Sequence, residues 1–184
     1  MVTDEEHGWL PRLQAGSYHG HAVVFWTFTV QDRATGRLSQ AFHQQFREIL
    51  LHACHRYHLV CPAYVLMPDH LHLLMLGLST HSTQRKAITF LRPHAVPPRH
   101  HWQKQAYDHV LREQDRDPEA FQKIAHYLLA NPERKALVEH AADWEYSGCL
   151  LPGYPRLHPH DAGYWELFWR LYWQQRNAMN VEAT

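Results

Sequence analysis

The sequence has no excess of charge, few cysteines and no long apolar run. Eighteen Lys and Arg are matched by eighteen Asp and Glu, so the 184-residue chain carries a formal net charge of zero at pH 7. A protein so balanced gains no steering toward polyanions from its overall field, and phosphate binding must come from a local patch. Its three cysteines, Cys54, Cys61 and Cys149, form no C-x-x-C motif and are an odd number. That excludes a complete disulfide framework and predicts reduced thiols in a cytosolic compartment. No apolar stretch approaches the ~20 residues of a membrane span, and no apolar secretion-signal core opens the chain. The expectation is a soluble cytoplasmic protein with no membrane partner.

What is present is apolar, aromatic and rich in histidine. A hydrophobic content of 45% with 12% aromatics is that of a folded chain, long enough for one domain with its own core. Eighteen histidines are unusual. At that frequency chance alone yields roughly two His-x-His pairs, so spacing by itself is weak evidence. Three occur: His19/His21, His70/His72 and His158/His160. Only the middle pair lies inside an alternating apolar pattern, Tyr64 to Leu76, which reads as two strands joined by a Pro68-Asp69 turn. Side chains two apart in a strand share a face, about 7 Å from one another. Two imidazoles so placed can share a metal ion.

Residues 1–20 read as an irregular lead-in, 21–150 as the main domain, and 151–184 as a Pro/Gly-rich connection and a C-terminal helix. Within the domain, Val23 to Val30 is a strand rich in β-branched and aromatic residues. Ser39 is placed to cap a helix reaching Tyr57, with Phe42, Phe46, Leu50, Ala53 and Cys54 on one face. Strands follow over about 63–67 and 70–76. A weak helix over 82–92 ends toward Pro93, Pro97 and Pro98. Trp102 to Leu111 alternates as a strand, with Ala106, His109 and Leu111 as inward positions, and Asp117-Pro118 opens another helix. The order β-α-β-β-α-β predicts an α+β fold, the ferredoxin-like split β-α-β sandwich. Its antiparallel sheet carries helices on one face, with the histidine strand central. A C-terminal aromatic helix is added to it.

On the helix after Pro118, Lys123, Tyr127, Asn131 and Arg134 form one polar stripe opposite Phe121, Ile124, Ala125 and Leu128. A tyrosine hydroxyl is a poor nucleophile until its phenolate is stabilised. From spacing alone Tyr127 reads as an exposed helical tyrosine resting on its neighbours. Asn131, before Pro132, reads better as the N-cap of a second helix than as a ligand.

These pieces together resemble a family. Val65-Leu66-Met67-Pro68-Asp69-His70-Leu71-His72-Leu73-Leu74 resembles the HUH (His-hydrophobe-His) motif of single-tyrosine transposases. Tyr127-Leu128-Leu129-Ala130-Asn131-Pro132, with Arg134 and Leu137-Val138, resembles their tyrosine helix, above all in the REP-associated tyrosine transposase branch. Tyr107-Asp108-His109-Val110-Leu111-Arg112 and Trp144-Glu145-Tyr146-Ser147 resemble that branch too. The resemblance covers roughly residues 20–150. It implies an enzyme that cuts and rejoins single-stranded DNA, hairpin-containing DNA in particular. His70, His72 and Asn131 would hold a divalent metal, Mg²⁺ or Mn²⁺, and Tyr127 would attack the scissile phosphate to give a 5′-phosphotyrosine link. A non-catalytic single-strand binding module on the same fold is the alternative, and a phosphodiesterase using water a second one.

Other signals carry less. Cys54, His58 and Cys61 have spacing for a zinc cluster, but their apolar setting favours core thiols. Tyr107 is a weaker rival nucleophile. Trp165, Phe168, Trp169, Tyr172 and Trp173 make an aromatic helix face that is expected to dock on the domain itself, with a homodimer contact or a base-stacking platform as alternatives.

Overall fold

The computed structural model describes residues 14–36, 38–96, 100–111 and 117–181. In chain order the elements are β1 (Val23–Thr29), α1 (Gln40–Arg56), β2 (Leu59–Leu66), β3 (His70–Gly77), α2 (Gln84–His94) and β4 (Tyr107–Val110). Then come α3 (Pro118–Leu129), α4 (Asn131–Arg134), β5 (Ser147–Leu150) and α5 (Tyr164–Val181). All strand pairs are antiparallel, in the order β4-β1-β3-β2-β5. The first four strands have the expected ferredoxin-like order with β3 inside, and β5 extends the sheet beyond β2.

Local chemistry sets the main boundaries. The Ser39 hydroxyl accepts the Phe42 N–H at 3.1 Å and starts α1, which buries Phe42, Phe46, Leu50, Ala53 and Cys54. Asp117 caps α3 in the same way, accepting from the Glu119 and Ala120 N–H groups, with Pro118 in the first turn. β2 begins at Leu59, earlier than the alternation suggested, because register shifts between Val60 and Ala63. That irregularity contains Pro62, which has no N–H for a ladder, and it breaks the period of two that sequence reading relies on.

α1 and α2 share one face. Beneath them lie Val24, Trp26 and Phe28 of β1, Leu71, Leu73 and Met75 of β3, and Tyr64 and Leu66 of β2. Gln84 is fully buried at the start of α2, accepting from the Trp26 indole N–H at 3.0 Å and donating to the carbonyls of Ala22 and Met75. A second buried polar group joins α1 to β2: Arg47 donates to the Tyr64 hydroxyl at 2.6 Å, and that hydroxyl lies 2.8 Å from His43 Nε2. Burial first, then the Arg47 charge, holds the His43 pKa down to about 4, so its ring is neutral and accepts from Tyr64.

The opposite face carries α3 and α5, whose Phe121, Ala125, Leu128, Tyr164, Phe168 and Tyr172 pack over Val60, Ala63, Val65, Leu74 and Leu76. The C-terminal aromatic helix thus docks on its own domain. Its Tyr164 hydroxyl donates to the Pro62 carbonyl at 2.6 Å and its Tyr172 hydroxyl to that of Gly77 at 3.0 Å. Gly77 is obligatory where β3 ends, because a Cβ there would fall 1.8 Å from the Gly20 carbonyl oxygen. The three cysteines are free and buried in these layers, and burial raises each thiol pKa. No helix among the described residues is long and apolar enough to cross a membrane.

Three local expectations change. Pro93 does not end α2 but sits inside its last turn, where only one backbone bond is lost. β4 has four residues, and Trp102 makes only an isolated bridge to Val30. His109 is exposed, not inward, because it lies on an edge strand. Pro97 and Pro98 lie outside the described residues, as do residues 1–13 of the lead-in.

Candidate active site

β3 presents His70 and His72 on the face that α3 and α5 occupy, since they have the parity of Leu74 and Leu76. Their ring centroids are 4.7 Å apart. Each ring is held through Nδ1 by a different neighbour. His70 Nδ1 is 2.6 Å from the Asp69 carboxylate and donates to it, while His72 Nδ1 is 2.8 Å from the Thr27 hydroxyl on β1. Asp69 in turn pairs with Arg33 at 2.9 Å. Burial alone would raise the Asp69 pKa, but hydrogen bonds from Arg33 and His70 outweigh it and keep the carboxyl ionised.

Burial pushes His72 down to about 3. The charge of His70 adds to this and that of Asp69 opposes it. A neutral imidazole anchored at Nδ1 is the form in which Nε2 ligates a metal, provided the ring donates Nδ1–H to Thr27. The donor set therefore fits a divalent ion as far as two imidazoles go. Among the described residues no group of three or more His, Cys, Asp or Glu completes a cage.

Asn131 has a role that sequence reading did not anticipate. It does not cap α4, whose N-cap is Ala130. Its Nδ2 donates to the Leu128 carbonyl at 2.8 Å and, more weakly, to that of Tyr127 at 3.3 Å. Pro132 cannot give the Leu128 carbonyl its helical N–H, and the Asn131 side chain supplies the missing donor. With the nitrogen so committed, Oδ1 is the atom of the side chain that could meet a metal. Capping uses the nitrogen end of the amide and ligation would use the oxygen end, so the one role does not exclude the other.

Tyr127 lies one helical turn before Asn131, 58% exposed, with the Arg134 guanidinium 4.2 Å from the centre of its ring. α3 ends at Leu129 and α4 begins at Asn131, and Arg134 of α4 reaches the Tyr127 ring across this break. Lys123 is also exposed but pairs with Glu119 at 2.8 Å rather than with the tyrosine. Tyr107 stands on β4 directly across from Thr27, which is itself across from His72, so all three point to one face.

Among the described residues the basic side chains do not make one groove. Arg56, Arg85 and Lys86 line a cavity of about 520 Å³ on the α1/α2 side, and Arg85 continues with Arg92 into one of about 600 Å³. Arg134 belongs to the opposite face, while Arg99 and Arg112 lie outside the described residues. Sequence reading missed Thr27 and Arg33 as supports of the histidines. Asp69 was legible as the neighbour of His70; Thr27 needed the β1–β3 register.

No family profile matches the chain. A Haemophilus influenzae protein named for the REP-associated tyrosine transposases is 25% identical over 158 residues, covering 77% of this chain and 87% of that protein. The solved structure of a REP-associated tyrosine transposase bound to a REP hairpin superposes with a TM-score of 0.62 at 17% identity, over 76% of this chain and 81% of that one. In sequence and in fold the chain is similar to the REP-associated tyrosine transposases. A further structure, of a Deinococcus radiodurans protein described as a transposase, aligns at a TM-score of 0.42, too distant to weigh. The REP-associated transposase likeness spans most of both chains, so it concerns the whole α+β domain rather than one motif.

Proposed function

We propose that this chain cleaves and rejoins single-stranded DNA, hairpin-containing DNA in particular, through a covalent 5′-phosphotyrosine intermediate. The observation that carries the reading is the pair of Nδ1-anchored histidines on the sheet face that α3 packs against, with Tyr127 exposed in α3 and Asn131 one turn further on. In this reading His70 Nε2, His72 Nε2 and Asn131 Oδ1 would hold a Mg²⁺ or Mn²⁺ ion. Bound there, the ion would polarise the scissile phosphate and offset its growing negative charge.

The chain's own residues do the rest. Tyr127 gives up its phenolic proton, and its oxygen forms a bond to phosphorus as the bond to the 3′-oxygen breaks. The released strand takes a proton as a 3′-hydroxyl. The phosphodiester energy stays in the phosphotyrosine, so a 3′-hydroxyl can reverse the step without ATP. Arg134 fixes the ring of Tyr127, and Asp69 and Thr27 fix the imidazoles, so little reorganisation is needed at the moment of reaction. Arg56, Arg85 and Lys86 make no ion pair among the described residues and offer local positive charge on the α1/α2 side, while Arg134 supplies it beside Tyr127. In this reading the chain works in the cytoplasm.

The test is incubation with labelled hairpin oligonucleotides and Mn²⁺, followed by denaturing gels. The expected result is a covalent protein–DNA species that is absent in Tyr127→Phe and in His70→Ala/His72→Ala. Cleavage that survives Tyr127→Phe would indicate water as the nucleophile. Binding without cleavage across a panel of hairpins would indicate a non-catalytic module.

A further inference from the structure

The half of the sheet nearest the histidines that α3 and α5 do not cover has an unusual surface. β4 is an edge strand with a four-residue pairing, and its exposed positions are Tyr107 and His109. Tyr107 is 52% exposed, so its ring adds little to the core. Edge strands more often carry charge there, because an open apolar edge invites unwanted pairing. Strand register puts Tyr107 beside Thr27 and then His72, and His109 beside Phe25. Phe25 is half-buried and its ring lies 5.2 Å from that of His72, which is 4.7 Å from His70. An aromatic track therefore crosses three strands from the open edge to the histidine pair. Tyr107 and His72 are two strand spacings apart, about 10 Å, within reach of a short stretch of extended single strand.

Open antiparallel sheets that display alternate aromatic side chains suit unpaired bases, whose π-faces stack on them regardless of sequence. Paired bases are already stacked and cannot use such a surface. We propose that Tyr107, with His109 beside it, is a stacking platform for unpaired bases of the DNA strand that leads to His70 and His72. Tyr107 takes a base flanking the scissile phosphate and so sets which phosphodiester meets Tyr127. This inference rests on the strand-transfer reading for the identity of the DNA but not for the stacking itself. It also gives Tyr107 a non-nucleophilic role, with its ring, not its hydroxyl, as the working part.

The test uses the full chain and single-stranded oligonucleotides carrying 2-aminopurine at successive positions around the cleavage point, read by fluorescence quenching and binding titration. Tyr107→Ala is expected to weaken single-strand binding by about 5- to 100-fold and to remove quenching at one position. Tyr107→Phe should keep both close to wild type, and His109→Ala should show a smaller loss at a neighbouring position. Melting temperature and affinity for a blunt duplex should be unchanged in all three. Wild-type quenching in Tyr107→Ala would overturn the platform, as would a Tyr107→Phe variant as impaired as Tyr107→Ala. Equal loss of duplex and single-strand binding would overturn it as well. If quenching depends on Tyr107 but no oligonucleotide ever becomes covalently attached, the platform stands and the strand-transfer reading fails. If Tyr107→Phe abolishes the covalent species while Tyr127→Phe retains it, both fail.

Discussion

The two faces of the sheet are built from the same strands and do different work. On the α1/α2 face every inward side chain of β1 and β3 is apolar, and the few polar groups, Gln84, His43 and Tyr64, are buried with partners. On the α3/α5 face the apolar cover takes in Leu74 and Leu76 in the second half of β3 but not its first residues. At the start of β3, by contrast, the positions on this face are Thr27, His70 and His72, and hydrogen bonds replace packing. Close packing holds one face together; the other keeps polar atoms that point at nothing apolar and can act on a substrate. The difference teaches where to expect loss of stability and where loss of chemistry.

The sharpest way to break this division is Tyr127→Phe. An exposed hydroxyl adds almost nothing to stability, so the melting curve should be unchanged while covalent attachment to DNA falls by about a thousandfold or more. Phe46→Ala should do the reverse. Phe46 is fully buried, and its loss should cost about 3–5 kcal/mol in chemical denaturation. Below the new transition, activity per folded molecule should remain.

A subtler probe is Thr27→Val, which keeps the shape of the side chain but removes the hydroxyl at His72 Nδ1. Metal-dependent cleavage should need roughly 10- to 100-fold more Mn²⁺, with little change in melting. Equal Mn²⁺ dependence in mutant and wild type would remove Thr27 from the site.

The smallest effect concerns pH. His43 has a folded pKa of about 4, below its ordinary value, so the neutral ring is favoured by folding. The contribution is present above about pH 6.5 and is lost as pH falls toward 4, because the unfolded chain binds the proton more readily. After allowance for partial solvent contact, on the order of 1–2 kcal/mol should disappear between pH 7 and 4.5. A His43→Gln variant should show a smaller acid-dependent drop in the same denaturation series.

Much of the fold was legible because its signals are local. Ser39 and Asp117 cap helices through side chains only a few residues from their targets, and the face of α1 follows from a period that one helix sets by itself. Errors arose where a local rule met an irregularity. Pro62 changed the parity of β2, and the edge position of β4 turned His109 outward. Asn131 was legible as a capping residue but was assigned to the wrong helix, because sequence shows the proline and not which carbonyl it orphans.

The sequence by itself determined that His70 and His72 share a face, that Tyr127 and Asn131 share a helix stripe, and that strands and helices alternate in ferredoxin-like order. Each of those is a consequence of backbone periodicity acting over a few residues. Only the tertiary structure decided that Thr27 meets His72, that Arg134 folds back over Tyr127, and that Tyr107 opens onto the histidine side. Those contacts depend on strand register and on the break between α3 and α4. Register is set by the summed packing of both faces, which no short stretch of sequence carries.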